Sequence, residues 1–185
     1  MKTTPASAAC QARPQRGITL VEVCVVLAIT VVLATTAAPS LRGFIDTRRI
    51  DRAATTLATD IQFARTEAVA RNQPLRLSLH AMTDGSCYVI HTGAAAQCSC
   101  NPTGPALCTG NAQEIRTVIL PTSDQVSLLA NVGSVLFDPL HGTISPTGTL
   151  RLVGTDARAV HHVVNIMGRV RSCSPQAAIP GYRAC

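Results

Sequence analysis

Residues 16–38 read RGITLVEVCVVLAITVVLATTAA, a basic residue and a glycine followed by an apolar run that carries one charge, Glu22. At ~1.5 Å of helical rise per residue, Ile18–Ala38 is long enough to cross a hydrocarbon layer of ~30 Å. A transmembrane helix over 18–38 is therefore expected. The polar, basic segment 1–17 precedes the apolar run, so cutting at the glycine would keep the helix, unlike removal of a secretory signal peptide. An ionisable group inside a span costs ~2.5–3.5 kcal/mol at its centre and less near an end, so Glu22 calls for a partner. Cleavage after Gly17 would supply one, because the new amine on Ile18 lies four residues from Glu22, a spacing that brings side chains together on a helix; the alternative is a carboxylate that snorkels to the headgroups.

These residues resemble the class III leader of type IV pilins and type II secretion pseudopilins. The resemblance implies that a prepilin peptidase cuts after Gly17, that the amine of Ile18 is methylated, and that Glu22 pairs with a neighbouring subunit's amine during filament assembly. The family usually has Phe where Ile18 stands. Pro39 matches the position where such helices kink, as its missing N–H predicts. The implied localisation is the bacterial inner membrane, single-pass, with the head in the periplasm before assembly into a pilus or pseudopilus. The implied partners are other major and minor pilins and the inner-membrane assembly platform.

Beyond Pro39, apolar residues recur every three or four positions: Leu41, Phe44, Ile45, Ile50, Ala54, Leu57, Ile61, Ala64 and Ala68. This spacing predicts an amphipathic helix over 39–73 that ends near Asn72, ahead of Pro74. From residue 74 to 185 the pattern changes to short β-rich runs at 75–80, 87–91, 114–120, 126–129, 134–137, 149–153 and 159–166, separated by turn residues. The fold class is α+β, type IV pilin-like: a long N-terminal helix, half membrane and half amphipathic, packed on an antiparallel β-sheet head.

The chain has 185 residues, 46% hydrophobic and 14% charged, which allows one globular domain with an appendage and excludes a disordered tail. Aromatics are 3%, too few for the stacking platforms of single-strand binders, so any nucleic-acid contact must be mainly electrostatic. Lys2, Arg13 and Arg16 fall in the leader, which leaves 13 basic against 10 acidic residues. From Arg151 onward stand Arg151, Arg158, Arg169, Arg171 and Arg183 against Asp156 alone, so the positive field gathers at the C-terminal end. Every cation after the leader is a guanidinium, whose planar fork suits phosphate.

Of 8 cysteines, Cys10 lies in the leader and Cys24 in the apolar helix. Cys87, Cys98, Cys100, Cys108, Cys173 and Cys185 form an even set that points to disulfides in an oxidising compartment. A zinc site from Cys87, Cys98, Cys100 and Cys108 is the rival reading, but the spacing fits no familiar pair of metal knuckles. Residues 93–112 read as a long loop without periodicity, stapled within a segment 87–108 by its cysteines. Pairing of Cys173 with Cys185 would bring Arg183 back toward the other late arginines. His161 and His162 are adjacent on an expected strand and face opposite sides, which argues against a shared metal. No cofactor or metal is expected, and no nucleophile or phosphate-loop motif suggests an enzyme.

Residues 136–152 (LFDPLHGTISPTGTLRL) and 163–173 (VVNIMGRVRSC) resemble the GspH/FimT branch of the pilins. GspH members are minor pseudopilins of secretion systems. FimT members are minor type IV pilins, some implicated in DNA uptake during natural transformation through a Gly-Arg-x-Arg motif. Gly168-Arg169-Val170-Arg171 matches that motif residue by residue, which implies double-stranded DNA, bound without sequence preference, as a partner. If residues 168–172 are extended, Arg169 and Arg171 project to one face ~6.6 Å apart and Val170 turns to the core. The alternative reading is a GspH-like pseudopilin with an assembly role and no DNA binding.

Overall fold

The computed structural model describes residues 17–185, apart from the side chains of 36–40. Residues 1–16, which hold most of the expected leader with Cys10, lie outside the described residues. The chain divides after Leu41 into two units. Helix α1 spans Leu20–Arg71.

In the first unit, Thr19 caps α1: its Oγ1 accepts from the Glu22 N–H at 3.3 Å, and its carbonyl accepts from Val23 N–H at 3.2 Å. Glu22 thus sits three residues after the cap, where a carboxylate also favours the helix dipole. The apolar side chains between Leu20 and Leu33 are largely exposed. No helix among the described residues is long and apolar enough to cross a membrane. Residues 36–38 of the expected span are among those whose side chains are not described.

In the second unit, Ile50, Ala54, Leu57, Ile61, Ala64 and Ala68 form one buried stripe along α1, as the spacing predicts. Alanine at three of these positions lets strands approach the helix closely. Phe44 and Ile45 share the spacing but stay exposed, and so does Leu41 in the first unit, since the buried stripe begins only at Ile50. At the other end Asn72 adopts φ 49°, and Gln73 N–H reaches back to the Ala68 carbonyl at 3.1 Å, a left-handed stop just ahead of Pro74.

Twelve strands follow: β1 (Leu75–Met82), β2 (Gly85–Thr92), β3 (Cys98–Ser99), β4 (Leu107–Cys108), β5 (Glu114–Pro121), β6 (Ser127–Ala130), β7 (Ser134–Phe137), β8 (Ile144–Ser145), β9 (Gly148–Val153), β10 (Ala159–Val164), β11 (Val170–Ser174) and β12 (Arg183–Ala184). They form two five-stranded sheets, ordered β5-β2-β1-β7-β8 and β12-β11-β10-β9-β6, and a small ribbon β3-β4. Pairing is antiparallel except for β12, which runs parallel to β11 with Cys173 opposite Arg183. The core joins Leu75, Leu77, Tyr88 and Phe137 of the first sheet and Leu150, Leu152, Val160 and Val164 of the second to the helix stripe.

The segment 93–112 is less irregular than expected, because β3 and β4 pair within it and the Cys98–Cys108 bond joins them. A second bond, Cys87–Cys100, ties this segment to β2. The zinc reading for these four cysteines is therefore replaced by two disulfides. With the segment over it, β2 is buried on both faces from Ser86 to Thr92.

Candidate nucleic-acid interface

The Gly-Arg-Val-Arg segment closes the β10–β11 hairpin. Asn165 N–H donates to the Arg169 carbonyl at 3.2 Å, Gly168 N–H to the Asn165 carbonyl at 2.9 Å, and Arg169 N–H to the Asn165 side-chain oxygen at 2.9 Å. Ile166, Met167 and Gly168 thus form a three-residue loop with a left-handed glycine, φ 74°, at its third position. The positive φ favours glycine at 168, and a Cβ there would stand 2.7 Å from Arg65 Cδ, so the Arg65 side chain would have to shift. Gln62 of α1 clamps the turn by donating to the Gly168 carbonyl at 2.9 Å.

The strand begins only at Val170, so the expected extended run over 168–172 is corrected at its first two residues: Gly168 and Arg169 belong to the turn. Val170 is half-buried and packs against the core, as expected. Arg169 is exposed and, with Gln62, Arg65, Met167 and Gly168, lines an open groove. Arg65 beside it donates Nε–H to the Gly142 carbonyl at 2.7 Å.

Arg171 pairs in register with Val163 on the solvent-facing side of the second sheet. One row along the strands, the register sets Arg183, Cys173, His161, Arg151 and Leu129 side by side across five strands. The Cys173–Cys185 bond fixes β12, and with it Arg183, at the end of that row. Arg151 and Arg183 are three strand spacings apart, ~14 Å. Among the described residues no carboxylate stands within ion-pair distance of Arg151, Arg169, Arg171 or Arg183. Arg158 is different: it reaches Asp46 at 3.5 Å, Asp156 at 3.4 Å and the Gly43 carbonyl at 2.8 Å, and so serves the fold.

Sequence reasoning missed Arg151 as a site residue. Its signal was the alternation in Leu150-Arg151-Leu152, two buried leucines around an exposed cation. The two histidines face opposite sides as expected. His162 is buried, donating Nε2–H to the Ala54 carbonyl at 2.9 Å and accepting from the Ser172 hydroxyl at 2.8 Å, and burial lowers its pKa. His161 lies on the outer row, where partial burial and the Arg151 charge lower its pKa, so it adds no charge at neutral pH. His161, Cys173 and Cys185 are the one metal-ligand-like cluster among the described residues, but the two sulfurs are bonded to each other.

The first unit holds the other expected site. Gly17 and Ile18 are exposed, and Glu22 sits in the first turn of α1. Its role as third residue after the Thr19 cap was not foreseen, although the Thr-x-x-Glu spacing carries it.

This architecture, a long helix against an antiparallel head, is the type IV pilin fold. It matches the crystal structure of the type IV minor pilin FimU from Pseudomonas aeruginosa strain PAO1, with a TM-score of 0.53 and 17% identity, over 73% of this chain and 98% of that one. Residues 53–168 match the family model for type II transport protein GspH, and residues 12–38 match the prokaryotic N-terminal methylation motif. The chain belongs to the GspH family of pilin-like structural subunits, assembled with other pilins into a pilus or pseudopilus from the inner membrane. No curated protein matches.

Proposed function

We propose that this protein is a minor type IV pilin that binds double-stranded DNA without sequence preference and serves DNA uptake in natural transformation. The observation that carries the reading is the set of exposed arginines without carboxylate partners: Arg169 and Arg171, with Arg183 and Arg151 on the same sheet. Gly168 shapes the turn that presents Arg169. Guanidinium forks on a β surface contact phosphates, which carry no base information, so binding is sequence-blind. One subunit binds weakly, and several copies in a filament raise the effective concentration.

In the same reading, residues 18–38 anchor the chain in the inner membrane with its head in the periplasm. Prepilin peptidase cuts after Gly17, Ile18 is methylated, and Glu22 pairs with a neighbouring subunit's amine at the assembly platform. The apolar side chains of α1 exposed in the single chain are then covered by lipid and later by neighbouring helices. Glu22→Ala is expected to be processed normally but excluded from filaments, which a blot of sheared pili reads.

The family description favours a second reading, a GspH-like pseudopilin with an assembly role in type II secretion and no DNA contact. Exchange of the chromosomal copy for Arg169→Ala/Arg171→Ala separates the two. DNA uptake falls and pilus assembly persists under the first reading. Uptake and secretion both unchanged in the double variant, with secretion lost in the deletion strain, supports the second.

A further inference from the structure

The arginine surface leaves one feature of the hairpin unexplained. Ile166 and Met167, at its tip, are 58% and 60% exposed, where short loops ordinarily carry polar residues. This exposure is not fraying. The Ile166 carbonyl accepts from Ile144 N–H at 2.8 Å, the Gly168 carbonyl accepts from Gln62 at 2.9 Å, and three bonds close the loop between Asn165 and Arg169. Two apolar side chains are thus held out on a fixed support, with arginines two and four residues after Met167, and no acidic residue occurs in the sequence after Asp156.

Proteins that bend DNA from the minor groove combine these elements: cations for the flanking phosphates and an Ile, Met, Leu or Phe wedge that parts a base step. A β-hairpin is narrow enough to present both. We propose that the β10–β11 hairpin enters the minor groove of duplex DNA, with Ile166 and Met167 wedged against a base step while Arg169 and Arg171 hold the adjoining phosphates. The proposal rests on the DNA-binding reading and adds a mode of contact to it. A rigid tip suits the task, since the ordering cost of the wedge is met in the free protein. Neither the wedge nor the arginines read base identity, and steps that unstack easily, such as TA and CA, are simply the ones parted at least cost.

The test uses the full oxidised chain in non-ionic detergent and a duplex with 2-aminopurine placed at a TA step. Three proteins are compared: wild type, Ile166→Ser/Met167→Ser and Arg169→Ala/Arg171→Ala. Both replaced apolar side chains are exposed, so equal unfolding midpoints are expected. Wild type should raise the 2-aminopurine fluorescence on binding. The serine variant should bind about tenfold more weakly, for lost apolar contact, with the salt dependence kept and the fluorescence rise gone. Binding by wild type without a fluorescence change, or serine-variant affinity equal to wild type, overturns the wedge and leaves the arginine reading standing. No binding by wild type at low salt overturns both.

Discussion

The two sheets share one helix but treat their outer faces in opposite ways. The first sheet is covered: the 93–112 segment lies over β2, two disulfides pin it, and buried His91 bonds Ser78 and the Thr92 carbonyl beneath it. The first sheet's inner face is tied to the helix by Asp60, 1% exposed, which accepts from the Tyr88 hydroxyl at 2.7 Å and pairs with Arg116. Arg116 also stacks 4.8 Å from the Phe63 ring centre. The second sheet is tied to the helix by His162 alone among its buried polar groups, and its outer face is open, cationic and without carboxylates. Under that cover Arg76 Nε and His80 Nε2 of β1 are buried without a hydrogen-bond partner among the described residues, so the first sheet's outer face is closed by packing and disulfides rather than by complete polar pairing. The second sheet's outer face instead leaves Arg151, Arg171 and Arg183 exposed to solvent without a carboxylate, and the proposed DNA contact rests on it.

The contrast is open to attack, first at the helix tie of the covered sheet. Asp60→Ala should cost about 3 kcal/mol, since the buried Tyr88 hydroxyl loses its acceptor while half-exposed Arg116 regains water. Urea unfolding followed by circular dichroism measures it. Replacing Cys87 and Cys100 by serine should cost about 2 kcal/mol and expose β2, because the bond closes a loop with sequence separation 13. Hydrogen exchange at Val89 and Ile90 should then speed up while β10 is unaffected.

A smaller effect is expected from acid. The pKa values of His91 and His162 are lowered by burial below the ordinary 6.5, so the folded state binds fewer protons than the unfolded state just below that pH. Their contribution is complete above pH 6.5 and is lost as pH falls below it toward the folded-state values. The melting temperature should decline between pH 6.5 and 5, less steeply in His162→Gln. The smallest effect belongs to the open face: Arg169→Ala/Arg171→Ala should shift stability by under about 0.5 kcal/mol, because neither guanidinium has an ion-pair partner.

Much of this was legible in the sequence. The helix stripe from Ile50 to Ala68 announced itself by spacing, the strands by turn residues, and the N-terminal methylation motif by Gly17 and Glu22 in order. The 168–171 motif was legible as a resemblance, but its first two residues form a turn rather than the expected strand. What escaped were features set by long-range register. The two-residue strands β3, β4, β8 and β12 have no periodicity of their own and exist because a disulfide or a neighbouring strand holds them. Arg151 shows its exposure in the Leu150-Arg151-Leu152 alternation, but its place in a row with His161, Cys173 and Arg183 is set by strand register. The exposure of Phe44 and Ile45 depends on where the sheets meet the helix, which no local pattern encodes.

The central claim is that the open face binds DNA through a few arginines. It is tested most directly by titrating the full oxidised chain, in non-ionic detergent, against duplex DNA over a salt series, beside Arg169→Ala/Arg171→Ala. The account predicts weak binding with a slope of about −2 to −3 in log K against log salt, lost in the double variant. Undiminished binding by the variant, or a slope near about −8 from a much larger footprint, would contradict it.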